Sequence, residues 1–293
     1  MNIIETVKRY LAKSKLIGKS ELDIQVEGNE VYLMGFNPSK QTMKEKVIQV
    51  DIPDFVTQVG KGIFQGIESS LKVTYIGTGL KGVAGMFYGY EGEQLDLSEF
   101  NTNSIEDMTA MFMGCHQIKV LDLRHFNTQN VTSMRDMFNN CFGLKHLYIG
   151  SFNTSNVKSM VRMFSSCGSL QELDIKNFDT SYVKDMQSMF SGCEALEELD
   201  VTSFSTWNVE NMHGMFYGCR NLKKLDLNNF ITSHVTDMSD MFSGCTSINN
   251  LYLRHFDMKK CTNYNKMVYD SGYYLGWVAP KGFDFYSDEL VEI

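Results

Sequence analysis

The sequence repeats itself every 26 residues, and this period constrains the fold more than any other feature of the chain. We call residues that share a position in successive repeats a column. Phenylalanine fills one column without insertion or deletion: Phe100, Phe126, Phe152, Phe178, Phe204, Phe230 and Phe256. Another column is cysteine: Cys115, Cys141, Cys167, Cys193, Cys219 and Cys245. A fixed period of this length predicts a stack of equivalent coils, a solenoid, with one continuous core.

One repeat, residues 121–145, predicts the shape of a coil. Residues 121–124 alternate apolar and polar side chains, as a half-buried strand does, and the polar patch 126–128 predicts a turn. Residues 130–141 space their apolar side chains as one face of a short helix does, and begin with an asparagine suited to an N-cap. We therefore expect an α/β solenoid, right-handed, with parallel strands on one face and short helices on the other.

Segments at both ends keep only part of the pattern of the regular repeats, residues 95–267. Residues 47–94 predict divergent coils of the same kind. Residues 1–46 predict a helix followed by a hairpin, and residues 268–293 are rich in aromatic side chains. Because the end coils of an open solenoid need covering, we expect the first segment to be an N-terminal cap and the last a C-terminal cap.

One full repeat, Phe126 to Ile149, follows the pattern Phe-Asn-Thr-x-Asn-Val-x-x-Met-x-x-Met-Phe-x-x-Cys-x-x-Leu-x-x-Leu-Asp-Leu. Tyr148 stands in the Asp place, and Ile149 in the place of the last Leu. This pattern resembles the BspA-like leucine-rich repeat of bacterial surface proteins, and residues 52–76 are similar to a related form of it. The resemblance implies a leucine-rich-repeat solenoid. Members of that family are mostly secreted or wall-anchored, adhesin-like proteins.

Charge and composition narrow the classes of partner. The chain has 27 basic and 35 acidic residues and a net charge of −8, whereas affinity for nucleic acid or an anionic membrane needs a basic surface. No stretch approaches the ~20 apolar residues of a membrane span. Lysines and Arg9 interrupt the apolar residues at the start, where an export signal needs an unbroken run. We therefore expect no direct nucleic-acid or membrane partner and a cytoplasmic location, with secretion to the cell surface as the alternative.

The aligned cysteines predict buried, reduced thiols. They lie beside methionine and phenylalanine, the sequence has no Cys-x-x-Cys pair, and no histidine shares their column. Cys261 falls in a valine column, so we expect it in the core too. The sequence also has no Gly-x-Ser-x-Gly, phosphate loop, His-Glu-x-x-His or dinucleotide fingerprint. We expect no cofactor, no metal and no enzymatic activity.

Outward-pointing strand positions predict the binding surface, because equivalent coils can specify a partner only where they differ. Aspartate is the rule in one outward column, and Tyr148 and Tyr252 depart from it. Trp207 departs from a turn rich in Ser and Thr. Tyr, Trp and Arg are frequent interface anchors. The candidate partner-binding residues are Tyr148, Tyr252, Arg124, Lys176, Arg254, Asp174, Asp200, Asp226 and Trp207.

Three functions remain open at this level. The first is a non-catalytic scaffold inside the cell that docks a protein partner on its concave strand face. The second is an adhesin-like bacterial cell-surface protein. The third is a phage or mobile-element inhibitor, an acidic decoy for a bacterial defence or nucleic-acid-binding complex. The missing export signal favours the first and third, and a net charge of −8 is weak for a nucleic-acid mimic.

Overall fold

The N-terminal segment folds as a helix and a β-hairpin. The computed structural model describes residues 3–16, 21–249 and 251–272. Helix α1 spans Ile3–Leu16, and strands β1 (Leu22–Glu27) and β2 (Glu30–Phe36) pair antiparallel, as the sequence predicts. Gly28 has a φ of 62° in the turn between them, a conformation that favours glycine. No helix within these ranges has the length and apolar character that a membrane crossing requires.

The remaining strands pair in parallel. They are β3 (Val47–Asp51), β4 (Gln58–Val59), β5 (Ser70–Thr74), β6 (Leu95–Asp96), β7 (Val120–Asp122), β8 (His146–Tyr148) and β9 (Glu172–Leu173). Strand β4 lies beside β2, and β3–β5–β6 and β7–β8–β9 form two three-stranded sheets. Single backbone bridges also link successive coils, through Gln58, Gly82, Asp107, Ser133, Ser159, Asp185, Asn211, Asp237 and Asn263. The predicted parallel-strand solenoid is confirmed.

The prediction of short helices on the second face is wrong. Within the described part of residues 95–272 this face consists of β-turns. The amide of Met137 donates to the carbonyl of Met134, and the amide of Cys141 to that of Phe138. These bonds reach three residues back, whereas α-helical bonds reach four. We call this side of the solenoid the turn face.

Two left-handed residues in each coil explain why no helix forms. Asp136 (φ 57°) and Asn140 (φ 62°) occupy the third position of two turns, where a type II turn requires positive φ. Backbone amides at alternate positions point away from their own coil and toward the next one. The amide of Asp136 donates to the carbonyl of Val161, and the amide of Phe138 donates to the carbonyl of Met163. Apolar residues at i, i+3, i+4 and i+7 suit such a pair of turns as well as they suit a helix.

The same two columns adopt positive φ along the solenoid. Their other members are Gly62, Gly66, Gly85, Gly89, Ala110, Gly114, Arg162, Ser166, Ser188, Gly192, Gly214, Gly218, Asp240, Gly244, Lys266 and Asp270. The turn geometry therefore begins before residue 95, where the regular sequence repeat starts. The boundaries of the two caps and of the divergent coils stay predictions, and residues 273–293 of the C-terminal cap lie outside the described residues.

Identical side chains stack along the core. One column of rings consists of Phe87, Phe112, Phe138, Phe164, Phe190, Phe216 and Phe242. Neighbouring ring centroids in it lie 5.5 to 5.7 Å apart, and their planes differ by at most 7°. Burying one such side chain contributes about 1.5–3 kcal/mol. Because each ring contacts the ring of the preceding coil, the core is continuous from Phe87 to Phe242.

The aligned cysteines are buried and reduced, and all seven cysteines of the chain are free. Each of the six buried thiols donates to a phenylalanine carbonyl of an earlier coil, for example Cys193 Sγ to Phe164 O at 3.2 Å. Burial raises the pKa of Cys193 and of Cys245 to about 12, so the reactive thiolate is scarce near neutral pH. Cys261 is half-buried and packs against the edge of the core.

Buried threonines also join the coils. They are Thr102, Thr128, Thr154, Thr180, Thr206 and Thr232. Thr154 Oγ1 donates to the backbone carbonyl of Asp179 at 2.9 Å and accepts the amide of the same residue at 2.8 Å. The sequence predicts only a turn here, because the partner backbone lies one coil away.

Replacing Thr154 with valine is expected to lower the free energy of unfolding by about 1–3 kcal/mol. Valine keeps the shape of the side chain but removes the hydroxyl that satisfies both backbone groups of Asp179. Urea unfolding of the two proteins measures the loss. Thr154→Ser keeps the hydroxyl and is the control. Equal losses in both variants would show that the methyl group matters and the hydrogen bonds do not.

Thiol labelling of the native chain is expected to modify Cys261 first and the six buried cysteines slowly. Those six thiols are buried and shielded from solvent. Mass spectrometry after timed labelling measures each site, and labelling in denaturant gives the full count of seven cysteines. Fast native labelling of Cys141 or Cys193 would contradict their place in the core.

Candidate functional site

The side of the solenoid that carries the parallel strands is the strand face. Aspartates on this face stabilise the turn at the end of each of their strands. Side chains of this column accept the backbone amide two residues on, in the pairs Asp96 and Ser98, Asp200 and Thr202, and Asp226 and Asn228. Such Asx turns end a strand locally. The hydrogen bonds from Thr202 hold the pKa of Asp200 below its usual value, so its carboxylate stays ionised. The repeated aspartate therefore has a structural cause.

Asp122, Arg124 and Tyr148 form a connected group, which we call the Arg124 cluster. Asp122 accepts hydrogen bonds from Nε and Nη2 of Arg124 at 3.0 and 2.6 Å. The guanidinium carbon lies 5.1 Å from the ring centroid of Tyr148 on the next coil, within cation–π range. The bond from Arg124 lowers the pKa of Asp122 to about 2. Tyr148 is 44 % exposed, so the cluster offers an aromatic ring and a cation in fixed geometry.

The other predicted residues are exposed but not gathered at this place. Lys176 Nζ lies 3.3 Å from the carboxylate of Asp174, on the coil after Tyr148. Tyr252, which is 58 % exposed, shares a coil with Arg254. That coil is four coils from Tyr148, about 19 Å at the usual strand spacing. The strand face is therefore a row of separate groups.

Trp207 lies off the strand face, in an exposed group on the following turn. Tyr182, Trp207 and Ile231 belong to three successive coils and are 63 %, 51 % and 53 % exposed. Ile231 stands where other coils have an Asx-forming residue such as Asn127. Tyr182 stands where residues such as Asn156 donate to the preceding coil. Comparing every exposed residue with its own column would have found Tyr182 and Ile231 from the sequence.

A shallow cleft of about 540 Å³ interrupts the strand face between β6 and β7. Glu93, Leu95 and Asp96 line one side, and Lys119 and Val120 line the other. Strand β6 pairs with β5, but no pairing joins it to β7 in the described chain. The sequence columns do not predict this cleft, because every lining residue fits the repeat when taken by itself.

His213, Ser239 and Asp237 meet on the turn face, but their order is not that of a catalytic triad. His213 Nδ1 lies 2.8 Å from Ser239 Oγ, and this hydroxyl donates to Asp237 Oδ1 at 2.6 Å. In a triad the carboxylate holds the histidine, whereas here it binds a serine that is 5 % exposed. Among the described residues, no three or more His, Cys, Asp or Glu side chains gather into a group that could hold a metal ion.

Stability is expected to depend on Asp122 at neutral pH and to lose that dependence in acid. Its pKa is about 2 in the folded chain against an ordinary value of 3.8. The contribution of the carboxylate is therefore complete above about pH 4 and disappears as the pH falls toward about 2. Asp122→Asn should lower the melting temperature at pH 7, and the difference from the wild type should shrink below about pH 4.

Asp226→Asn is the matched control, because Asn228 takes the place that Arg124 has beside Asp122. The control should change the melting temperature less than Asp122→Asn does at pH 7. A deficit of Asp122→Asn that stays constant from pH 7 to pH 3 would show that the charge of this carboxylate does not matter.

The solved structures that are similar to this chain include leucine-rich repeat proteins. A T. pallidum leucine-rich repeat protein (TpLRR) is 17 % identical, with 78 % of this chain and 88 % of that chain covered and a TM-score of 0.36. A leucine-rich repeat protein from Bacteroides ovatus is 15 % identical, with 84 % and 87 % covered and a TM-score of 0.24. The pneumococcal vaccine antigen PcpA is 13 % identical, with 88 % and 84 % covered and a TM-score of 0.30. No curated protein matches the chain.

The sequence model of one protein family matches the repeats. That family is described as "Mycoplasma protein of unknown function, DUF285", and the matches cover residues 81–199 and 169–275. The two matches overlap and together span well over half of the 293 residues. The chain therefore belongs to the DUF285 family.

Proposed function

We propose that this chain is a non-catalytic scaffold that docks a protein partner on its strand face, with the Arg124 cluster at the contact. The observation that carries the proposal is the exposed Tyr148 ring beside a guanidinium that Asp122 holds in place. Side chains already fixed in the free protein lose little conformational freedom on binding. Tyrosine and arginine are also the residue types that most often anchor an interface.

The rest of the candidate surface sets the size of the partner. Tyr252 and Arg254 lie four coils from Tyr148, and Asp174, Asp200 and Asp226 occupy the coils between. A partner that contacts both ends must reach across about 19 Å. A folded domain spans this distance, whereas a single side chain does not. We also propose a right-handed winding with the strand face on the concave side.

The aspartate column gives no specific support to an acidic decoy. Asp96, Asp200 and Asp226 accept backbone amides of their own coils, so the turns on the strand face account for their recurrence. A scaffold on this surface needs neither nucleic acid nor a membrane. The proposal applies equally to a partner inside the cell and to one at the cell surface.

Tyr148→Ala is expected to weaken partner binding by about 30-fold, the effect of losing roughly 2 kcal/mol at an interface anchor. The melting temperature should hardly change, because the ring lies outside the core. A photo-crosslinking residue placed at Lys176 captures the partner for identification. Calorimetric titration of that purified partner against the wild type and the variant then measures the loss.

Tyr217→Ala is the matched control, because Tyr217 is 49 % exposed and lies on the turn face. This variant should bind the partner as the wild type does. Equal losses for the two tyrosines would contradict docking on the strand face. Unchanged affinity in Tyr148→Ala, Arg124→Ala and Tyr252→Ala would contradict it too.

A further inference from the structure

We infer that the cleft between β6 and β7 binds an arginine side chain presented by the protein partner. The inference rests on the proposed function and specifies the chemistry of the partner at one end of the strand face. Asp122 belongs both to the Arg124 cluster and to the lining of the cleft, so the two sites are adjacent. A partner docked on Arg124 and Tyr148 therefore lies next to the cleft.

The cleft lies between two coils of different length. Eight residues lead from Phe87 to Leu95, whereas nine lead from Phe112 to Leu121 in the next coil. The rings of Phe87 and Phe112 still stack at 5.5 Å, so the two coils keep normal contact in the core. On the strand face of the described chain, β6 does not pair with β7. Leu95 is only partly buried, whereas Leu121 is 2 % exposed.

The same charges occur four coils further on, where they bind each other. Glu197, Asp200, Lys223 and Asp226 occupy the columns of Glu93, Asp96, Lys119 and Asp122. At that second place Glu197 lies 2.7 Å from Lys223, Glu198 lies 3.0 Å from Lys224, and a backbone bridge joins Glu198 to Lys224. In the described chain no ion pair joins Glu93 to Lys119, and Val120 stands in the place of Lys224. The same charges therefore do not pair in the cleft, and within the described chain the carboxylate of Glu93 is left for a ligand.

The lining suits a long side chain that ends in a cation. Leu95 and Val120, the latter 51 % exposed, offer an apolar floor to an aliphatic stem. Three carboxylates line the cleft (Glu93, Asp96 and Asp122) against Lys119, with His125 at the border. Asp122 already binds Arg124, and Asp96 Oδ1 accepts the amide of Ser98. Glu93 and the other oxygen of Asp96 are therefore the acceptors for an incoming cation. A planar guanidinium, with its five donors, can bind two carboxylates at once, which favours arginine over lysine.

Methyl NMR of the full chain, titrated with N-acetyl-arginine amide, tests the inference. Methyl signals of Leu95 and Val120 should shift and saturate. Glu93→Gln combined with Asp96→Asn should weaken this binding at least about fivefold, because the charge–charge hydrogen bonds are lost. Asparagine can still accept the amide of Ser98, so the turn is kept, and thermal unfolding checks that the double variant is folded.

Glu197→Gln combined with Asp200→Asn makes the same changes at the ion-paired place and should leave the affinity unchanged. N-acetyl-citrulline amide, a neutral analogue of the probe, should cause no saturable shift. Equal weakening by the two double variants, equal binding of the neutral analogue, or binding of N-acetyl-lysine amide as tight as that of the arginine probe would overturn the inference. The titration needs no partner, so its failure leaves the Tyr148 result standing, and the reverse also holds.

Discussion

Amides that leave one coil and bond to carbonyls of the next hold this structure together. The left-handed residues of the turn face direct them, as Asp136 and Asn140 do in their coil. A backbone amide buried without a partner is costly, so each coil is satisfied only when its neighbour is present. Threonine hydroxyls and cysteine thiols add bonds between coils. Stability is therefore a property of neighbouring pairs, and no coil has a core of its own.

The strand face carries fewer of these bonds, and that is where the coils can differ. Its strands are only two or three residues long from β6 onward, and aspartates such as Asp200 form their turns within their own coils. Exposed side chains such as Arg124 and Tyr148 can therefore vary without disturbing the contacts between coils. Even the missing pairing between β6 and β7 is compatible with the fold, because bridges from Gly82 to Asp107 and on to Ser133 continue past it.

Identical columns made the period, the parallel stacking and the core predictable from the sequence. The turns of the second face were not, because residues such as Met134, Met137 and Phe138 have a spacing that turns and helices share. Only the column that contains Gly114 and Asn140, residue types that accept positive φ, distinguishes the two. Of the candidate site, single departures such as Tyr148 were predictable. The contact with Arg124 and the cleft were not, since both depend on how side chains of neighbouring coils are placed.

The constant distance between the two left-handed positions limits how a gene for such a protein can lengthen. Gly62 and Gly66, like Gly85 and Gly89, keep the four-residue separation although their coils are not 26 residues long. An insertion between the two positions would turn outgoing amides inward and detach both neighbours. Recombination between coils in the same register adds 26 codons and leaves each kind of bond intact. The number of coils is thus free to evolve in whole steps, while the cross-section of the solenoid is inherited almost unchanged.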